Sequence, residues 1–172
     1  FQLIVESVEL KKVVLSRGVL PDDISIFKGN ERDRLIELTQ QAFSSGTRFH
    51  LDSSLSPEKA TELHERWIVN LMEDENIKIL THRLEGEVTG YVAVDFQSSG
   101  VRKGHIGLFA VDKKYSGRGI GNRLLKALES IAPPQLNALW AMTENINQGA
   151  LKTYLGNGFE AIQRWNVFHW NT

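Results

Sequence analysis

The sequence predicts an α/β (α+β) fold, and two stretches of the chain carry that prediction. An apolar run at 108–111 leads through a glycine-rich turn at 116–121 into apolar residues that recur at helical spacing over 120–131. Residues 77–83 and 88–96 alternate between apolar and polar on either side of a Leu-Glu-Gly-Glu turn, which indicates an antiparallel hairpin. Strands and helices are therefore expected to alternate within one chain.

The other elements follow from the same patterns. Ser56-Pro57-Glu58 favours a helix start, because it offers a capping side chain, a proline at the first helical position and an acid in the first turn. That helix is expected to end near residue 72 and to bury Leu63, Trp67 and Leu71. The remaining predicted elements are a strand at 24–27, a helix at 32–43, an irregular segment at 48–52, a strand at 138–143, a short helix that stops at Gly158, and a strand at 161–170.

Length and composition limit the classes of protein to which the chain can belong. Its 172 residues suit one domain at 21–172, preceded by residues 1–20 as an extension or the remnant of a longer N-terminal region. With 20 basic and 21 acidic residues, the chain offers no electrostatic footprint for nucleic acid or an anionic membrane. No run is long enough to span a bilayer and no signal peptide is recognisable, so a cytoplasmic location is expected.

The absence of cysteine limits the chemistry. It excludes disulfides, thiolate metal ligands and a cysteine nucleophile. The five histidines show no metal-ligand spacing with acidic partners, so no metal is expected.

The glycine-rich turn indicates a site for phosphate. A strand that passes through glycines into a helix directs successive backbone N–H groups, and the positive end of the helix dipole, to one point. Asn122 and Arg123 stand where a nucleoside-triphosphate loop needs Lys and Ser or Thr, and a dinucleotide fingerprint would need glycine at 122. The sequence therefore predicts a ligand that carries phosphate. The turn matches neither the nucleoside-triphosphate loop nor the dinucleotide fingerprint.

A second motif, Asn147-x-x-Ala150-x-x-x-Tyr154-x-x-x-Gly158-Phe159, follows the next predicted strand. The two motifs, in this order and at this spacing, resemble those of the GNAT superfamily of N-acetyltransferases over about residues 24–170. The resemblance implies a mixed central sheet with helices on both faces, acetyl-CoA as the donor, and direct transfer of the acetyl group to an amine.

The resemblance also implies which residues bind acetyl-CoA. In the family, backbone amides of the turn hold the pyrophosphate, and a backbone N–H of the preceding strand polarises the thioester carbonyl beside the pantetheine arm. Ser116 replaces the usual Arg or Gln, so Arg118 is either a substitute phosphate ligand or a solvated loop cation. Asn147 either bonds to the pantetheine or only caps a helix. The residues assigned to acetyl-CoA are Phe109, Ala110, Val111, Ser116, Gly117, Arg118, Gly119, Ile120, Gly121, Asn122, Asn147 and Tyr154.

Tyr154 is the predicted general acid, because the corresponding tyrosine of the family lies near the sulfur and a phenol can protonate the departing thiolate. The alternative is a core aromatic residue. The general base is left open between His105, Glu144 and Asp95, each of which can also be read as a polar residue at a strand end.

A narrower resemblance concerns the acceptor. Thr47-Arg48-Phe49-His50, Glu65-Arg66-Trp67-Ile68 and the terminal Trp165, Phe168 and Trp170 resemble the dTDP-fucosamine acetyltransferases, which acetylate a dTDP-linked 4-amino-4,6-dideoxyhexose. A guanidinium beside an aromatic ring suits phosphate and a planar base, so Arg48, Phe49 and His50 are predicted to bind this nucleotide sugar.

Other functions stay open at this point. The acceptor can instead be a protein N-terminus, a polyamine or another small amine, and the chain can be a non-catalytic CoA-binding module. Assembly into a homodimer is also left open.

Overall fold

The computed structural model describes residues 2–15, 18–96 and 103–169. Within this part of the chain, one mixed sheet has the strand order β2-β3-β4-β5-β6-β1-β7. Its strands are β1 Gln2–Val13, β2 Ile24–Ile26, β3 Ile77–Leu84, β4 Glu87–Asp95, β5 Lys103–Val111, β6 Ala138–Glu144 and β7 Glu160–His169. The helices are α1 Arg32–Ala42, α2 Arg48–Leu51, α3 Pro57–Glu73, α4 Ile120–Ile131 and α5 Gln148–Gly156, with a 3₁₀ turn at Lys113–Tyr115. None of the described helices has the length and apolar character needed to cross a membrane.

The sheet carries a packed core on each face, which confirms the predicted α/β (α+β) fold. Side chains that alternate along β4 enter different cores: Val92 packs with α4 and α5, whereas Tyr91 packs with α1 and α3. Helix α4 buries Leu124, Leu125 and Leu128 on one side, as its helical spacing predicts. Helices therefore cover both faces of the sheet.

Strands β5 and β6 are parallel and separate after a short pairing. The pairing runs from Lys103 opposite Ala138 to Ile106 opposite Ala141. Beyond that point β5 stays bonded to β4, and β6 stays bonded to β1. Each strand therefore keeps its outer partner while its inner edge faces an opening in the sheet.

The N-terminal segment forms part of this sheet. Strand β1 lies between β6 and β7 and is antiparallel to both. Its Val8 and Leu10 are 1% and 0% exposed and pack in the same core as α4 and α5. The sheet thus extends across the boundary suggested near residue 20, although the division of the chain into 1–20 and 21–172 stays a prediction.

Helix α3 begins where the sequence predicts, and its buried side is the predicted one only in part. The Ser56 hydroxyl accepts a hydrogen bond from the backbone N–H of Lys59, as a capping residue does. The buried residues are Ala60, His64 and Ile68, whereas Leu63 is 41% exposed. Trp67 and Leu71 are half-buried and pack against this core as predicted, so only the prediction for Leu63 was wrong. The centre of the fully buried stripe is a histidine, a residue type usually read as polar. The segment predicted to be irregular at 48–52 also differs, since α2 forms one helical turn there.

Candidate active site

A cavity of about 260 Å³ lies where β5 and β6 separate. Helix α5 closes one side, and the loop after α1, together with α2 and α3, closes the other. The lining residues are Ser7, Phe43, Thr47, Arg48, Phe49, His64, Trp67, Ile106, Gly107, Leu108, Phe109, Met142, Thr143, Glu144, Asn147, Ala150 and Tyr154. Strand β5, the second motif and the predicted acceptor segment thus contribute to one cavity, whereas the glycine-rich turn at 116–121 does not line it.

The inner edge of β5 can bind an extended ligand. Beyond Ile106 this edge is no longer paired with β6, so its backbone N–H and C=O groups face the gap. An extended, amide-containing chain can bond to such an edge as an added strand does. Of the predicted contact residues on β5, Phe109 lines the cavity, whereas Ala110 and Val111 lie beyond its lining.

Tyr154 lies in the cavity wall on α5. It is 4% exposed, and its ring contacts those of Phe109 and Phe159, with centroids 6.0 Å and 5.1 Å away. Burial raises the pKa of Tyr154, so the phenol stays protonated at neutral pH and its hydroxyl can donate. The residue is both part of the core and part of the cavity wall, and the two interpretations of Tyr154 are therefore compatible.

Asn147 caps α5, and a bond from its side chain to the pantetheine stays a prediction. Its side-chain oxygen accepts a hydrogen bond from the backbone N–H of Ala150 at 3.1 Å, which caps α5. The same residue lines the cavity. Capping uses Oδ1, so the side-chain NH₂ group remains for a ligand.

The glycine-rich turn begins α4 beside this cavity. Gly117 and Gly119 have φ of +77° and +78°, in the left-handed region that favours glycine. A Cβ on Gly121 would instead lie 2.9 Å from Cζ of Phe109 and 3.2 Å from Cγ2 of Thr153. Close packing of α4 against β5 and α5 therefore requires glycine at 121.

The other turn residues have identifiable contacts. The Arg118 guanidinium lies 5.4 Å from the ring centroid of Tyr115, at the end of the 3₁₀ turn that Ser116 follows. The side-chain oxygen of Asn122 accepts a hydrogen bond from Nδ2 of Asn157 at 2.9 Å. Asn122 thus ties α4 to the end of α5.

Of the three bases suggested by the sequence, Glu144 lines the cavity, and His105 and Asp95 do not. Oε1 of Glu144 lies 3.5 Å from the backbone nitrogen of Arg48, at the end of β6. His105 and Asp95 lie opposite each other on β5 and β4, and the His105 ring packs 6.4 Å from that of Trp140. Their assignment as bases stays a prediction.

His64 lies in the cavity wall although no sequence pattern predicted it as a site residue. This side chain is 4% exposed and lines the cavity from α3. Its ring stacks on that of Phe43, with the centroids 4.7 Å apart, and contacts that of Phe49 edge-on, with the centroids 5.4 Å apart. Burial lowers the pKa of His64, so the ring is neutral at pH 7. The available signal was its spacing of four residues from both Ala60 and Ile68, which places the three on one helical face.

The predicted acceptor segment is divided between the cavity and the surrounding structure. Arg48 and Phe49 line the cavity, with the Arg48 guanidinium 4.9 Å from the Phe49 ring centroid. Within the described residues Arg48 forms no ion pair. His50 instead contacts the hydroxyls of Thr47 at 2.8 Å and Thr61 at 3.3 Å, which holds α2 against α3.

The terminal aromatic residues lie elsewhere. Trp165 and Phe168 on β7 are 46% and 52% exposed and do not line the cavity. Trp170 lies outside the described residues.

Comparison with known proteins decides the family. The profile of the acetyltransferase (GNAT) family matches residues 33–159, well over half of the chain. The chain belongs to the GNAT family. No curated protein sequence matches this GNAT chain.

Solved structures show the same fold. A GNAT-family acetyltransferase from Colwellia psychrerythraea matches with a TM-score of 0.65 and 15% identity, over 94% of this chain and 54% of that protein. The GNAT chain described here thus spans about half the length of that relative. AAC(6')-Iy, in complex with the bisubstrate analog CoA-S-monomethyl-acetylneamine, matches with a TM-score of 0.63 and 13% identity, over 87% of this chain and 98% of that one. The ribosomal-protein-S18-alanine N-acetyltransferase from Escherichia coli matches with a TM-score of 0.59 and 17% identity, over 78% of this chain and 75% of that one.

The residues of the GNAT chain fit acetyl-CoA, the donor used by the family. The first N–H groups of α4 have no acceptor within the helix, so they are available to a pyrophosphate. Arg118 adds positive charge to the same turn, and the free edge of β5 suits the amides of a pantetheine arm. Among the described residues, no group of three or more His, Asp or Glu side chains could hold a metal ion.

Gly121→Ala is expected to weaken acetyl-CoA binding about tenfold, because the added methyl group displaces the Phe109 ring at the cavity wall and overpacking of this kind costs about 1–3 kcal/mol. Isothermal titration calorimetry with acetyl-CoA measures the effect. Gly156→Ala on α5 is the matched control, since a Cβ there meets nothing within 4 Å. Equal dissociation constants for the two variants would contradict the assignment of close packing to Gly121.

Proposed function

We propose that this protein is an acetyl-CoA-dependent N-acetyltransferase whose acceptor is a nucleotide-linked amino sugar, namely a dTDP-linked 4-amino-4,6-dideoxyhexose. The observation that carries the proposal is the Arg48 guanidinium beside the Phe49 ring, in a cavity that Tyr154 also lines. Within this cavity, one side carries the groups suited to acetyl transfer, and the other carries groups suited to an anionic, ring-containing acceptor.

The chain's own residues support direct transfer. Acetyl-CoA supplies an acetyl thioester, and the backbone N–H groups on the free edge of β5 bind and orient an extended arm. A donor directed at the thioester oxygen contributes about 3 kcal/mol to transition-state stabilisation. Tyr154 donates its phenolic proton to the leaving sulfur. With no cysteine in the sequence, the easiest covalent route is absent, and the amine attacks directly.

The acceptor side of the cavity combines charge and aromatic surface. Arg48 provides a planar donor that matches the oxygens of a phosphate. The rings of Phe43, Phe49 and Trp67 provide apolar surface against which a deoxysugar or a planar base packs. Glu144, at the end of β6, offers a carboxylate that attracts the ammonium group to be acetylated.

The acceptor is tested by following thiol release from acetyl-CoA with a panel of amines. The panel contains dTDP-4-amino-4,6-dideoxygalactose, spermidine, neamine and a peptide with a free N-terminus. Release with the nucleotide sugar alone is expected. Release with another amine and none with the nucleotide sugar would overturn the acceptor, while leaving acetyl transfer in place. CoA binding without release from any amine would support a non-catalytic module.

Arg48→Ala is expected to raise KM for the nucleotide sugar about tenfold or more, because a charge-assisted hydrogen bond contributes about 1.5–3 kcal/mol to binding. Its effect on KM for acetyl-CoA should be small. Arg66→Ala is the control, since Arg66 pairs with Glu62 on the exposed side of α3 and does not line the cavity. If Arg48→Ala left KM for the nucleotide sugar unchanged, Arg48 would not be the residue that binds its phosphate.

A further inference from the structure

We propose that His64 is the general base that accepts a proton from the acceptor ammonium through Nε2. The inference deepens the proposed function and rests on it, since it names the residue that prepares the amine for attack. It differs from the assignment that the sequence suggested, in which the base is His105, Asp95 or Glu144.

Hydrogen bonding fixes the tautomer of His64. Its Nδ1 lies 2.9 Å from the carbonyl oxygen of Ala60, one turn earlier on α3. A carbonyl oxygen can only accept, so Nδ1 carries the proton and donates it to this bond. In the neutral ring Nε2 then holds a lone pair, and within the described residues the hydrogen bond of the His64 side chain is the one from Nδ1. The free nitrogen is thus an acceptor in a side chain that lines the cavity.

Aromatic packing holds the ring in that orientation. Phe43 stacks on one face of the ring with an interplanar angle of 7°, and Phe49 contacts it edge-on. The ring centroid of Trp67, on the same helix, lies 6.3 Å from that of His64. These ring contacts and the hydrogen bond from Nδ1 to Ala60 fix the orientation of the His64 ring. The ring therefore needs no rearrangement when an acceptor binds.

Burial and the charged neighbours together keep the His64 ring neutral at pH 7. Burial is the largest effect on its pKa and lowers it, with smaller lowering effects from His50 and Arg48 on α2. Glu144 on β6 raises it, and the bond to Ala60 also raises it. The net direction is below the ordinary histidine value of about 6.5, so the ring is unprotonated and able to accept a proton at pH 7.

The proton balance of the reaction needs such a group. An acceptor R–NH₃⁺ gives its first proton to Nε2 of His64, and the resulting lone pair forms the new C–N bond as the C–S bond breaks. The departing sulfur takes the proton of Tyr154, and the amide nitrogen returns its second proton to that phenolate. The sum is an amide, a thiol and one proton held by His64, which is then released to water.

The resting ring of the wild-type protein tests the tautomer without any acceptor. Long-range ¹H–¹⁵N correlation spectra are expected to show His64 in the Nδ1–H form, titrating below pH 6.5. A ring protonated at Nε2, or already charged at pH 7, would overturn the proposal whichever amine is the acceptor.

Kinetics of variants test the role itself. For the acceptor that the panel identifies, His64→Asn is expected to lower kcat/KM about 100-fold at pH 7. Its amide NH₂ can replace Nδ1–H toward Ala60, but it provides no base. His64→Ala leaves space in which added imidazole is expected to restore part of the rate. His82→Asn on β3 is the control, because His82 contacts Thr89 and Asp23 and does not line the cavity.

The pH profile provides the third readout. The wild-type kcat/KM should fall as the pH drops through the lowered pKa of His64, and this limb should vanish in His64→Asn. The proposal would be overturned if the limb remained in His64→Asn and imidazole did not rescue His64→Ala, while both variants still bound acetyl-CoA. His64 would then be a packing residue. Failure of the nucleotide sugar alone would overturn only the acceptor.

Discussion

Tyr154→Phe is expected to lower kcat about 100-fold or more, while the dissociation constant of acetyl-CoA changes less than twofold. Loss of the phenolic hydroxyl removes the proton donor for the leaving sulfur, and general acid catalysis of this kind contributes about 10²–10⁴-fold. The ring remains, so its contacts with Phe109 and Phe159 persist and the cavity keeps its shape. Steady-state kinetics and calorimetric titration with acetyl-CoA separate the two quantities.

Tyr115→Phe is the matched control for this variant. Tyr115 is also largely buried, but its hydroxyl donates to Oε2 of Glu87 at 3.2 Å and the residue lies outside the cavity lining. Its kcat should stay within twofold of the wild-type value. Equal turnover in Tyr154→Phe and the wild type would exclude Tyr154 from the proton transfer and leave only its packing role.

Leu10→Ala is expected to lower the free energy of unfolding by about 3 kcal/mol, within the range of about 2–5 kcal/mol for buried leucines. Leu10 is 0% exposed and lies on β1, in the core shared with α4 and α5. Such a loss would show that the N-terminal segment stabilises the same folded unit as the rest of the chain. Urea denaturation followed by circular dichroism measures it.

Leu3→Ala serves as the comparison on the same strand, since Leu3 is 54% exposed. A change of less than about 0.5 kcal/mol is expected there, as for most surface substitutions. Similar small losses for both variants would mean that β1 packs weakly and that the fold is stable without it.

Local signals in the sequence were enough for the secondary structure near the motifs. Glu85 and Gly86 form the two-residue turn between β3 and β4 with φ of +52° and +86°, the geometry that hairpin turns favour. The Ser56 cap and the left-handed glycines of the turn before α4 likewise depend on a few neighbouring residues. Patterns of this length can be read along the chain without knowledge of its partners.

The candidate site could be predicted only in part. Tyr154, Phe109 and Asn147 belong to motifs of fixed spacing, and the structure brings all three to the cavity. His105 and Asp95 sit near strand ends just as Glu144 does, but the ends at which they sit are away from the cavity. Spacing alone does not reveal on which side of a sheet edge a cavity opens.

By itself, the sequence determined the α/β class, the glycine-rich turn that begins a helix and the GNAT family, because each depends on short-range geometry and motif order. Tertiary structure alone decided that β1 lies between β6 and β7, that β5 and β6 part after Ile106, and that His64 is buried against Phe43. These features depend on contacts between residues far apart in the chain. The packing of a whole sheet and its helices sets which of those contacts form, and no local pattern of residue types specifies it.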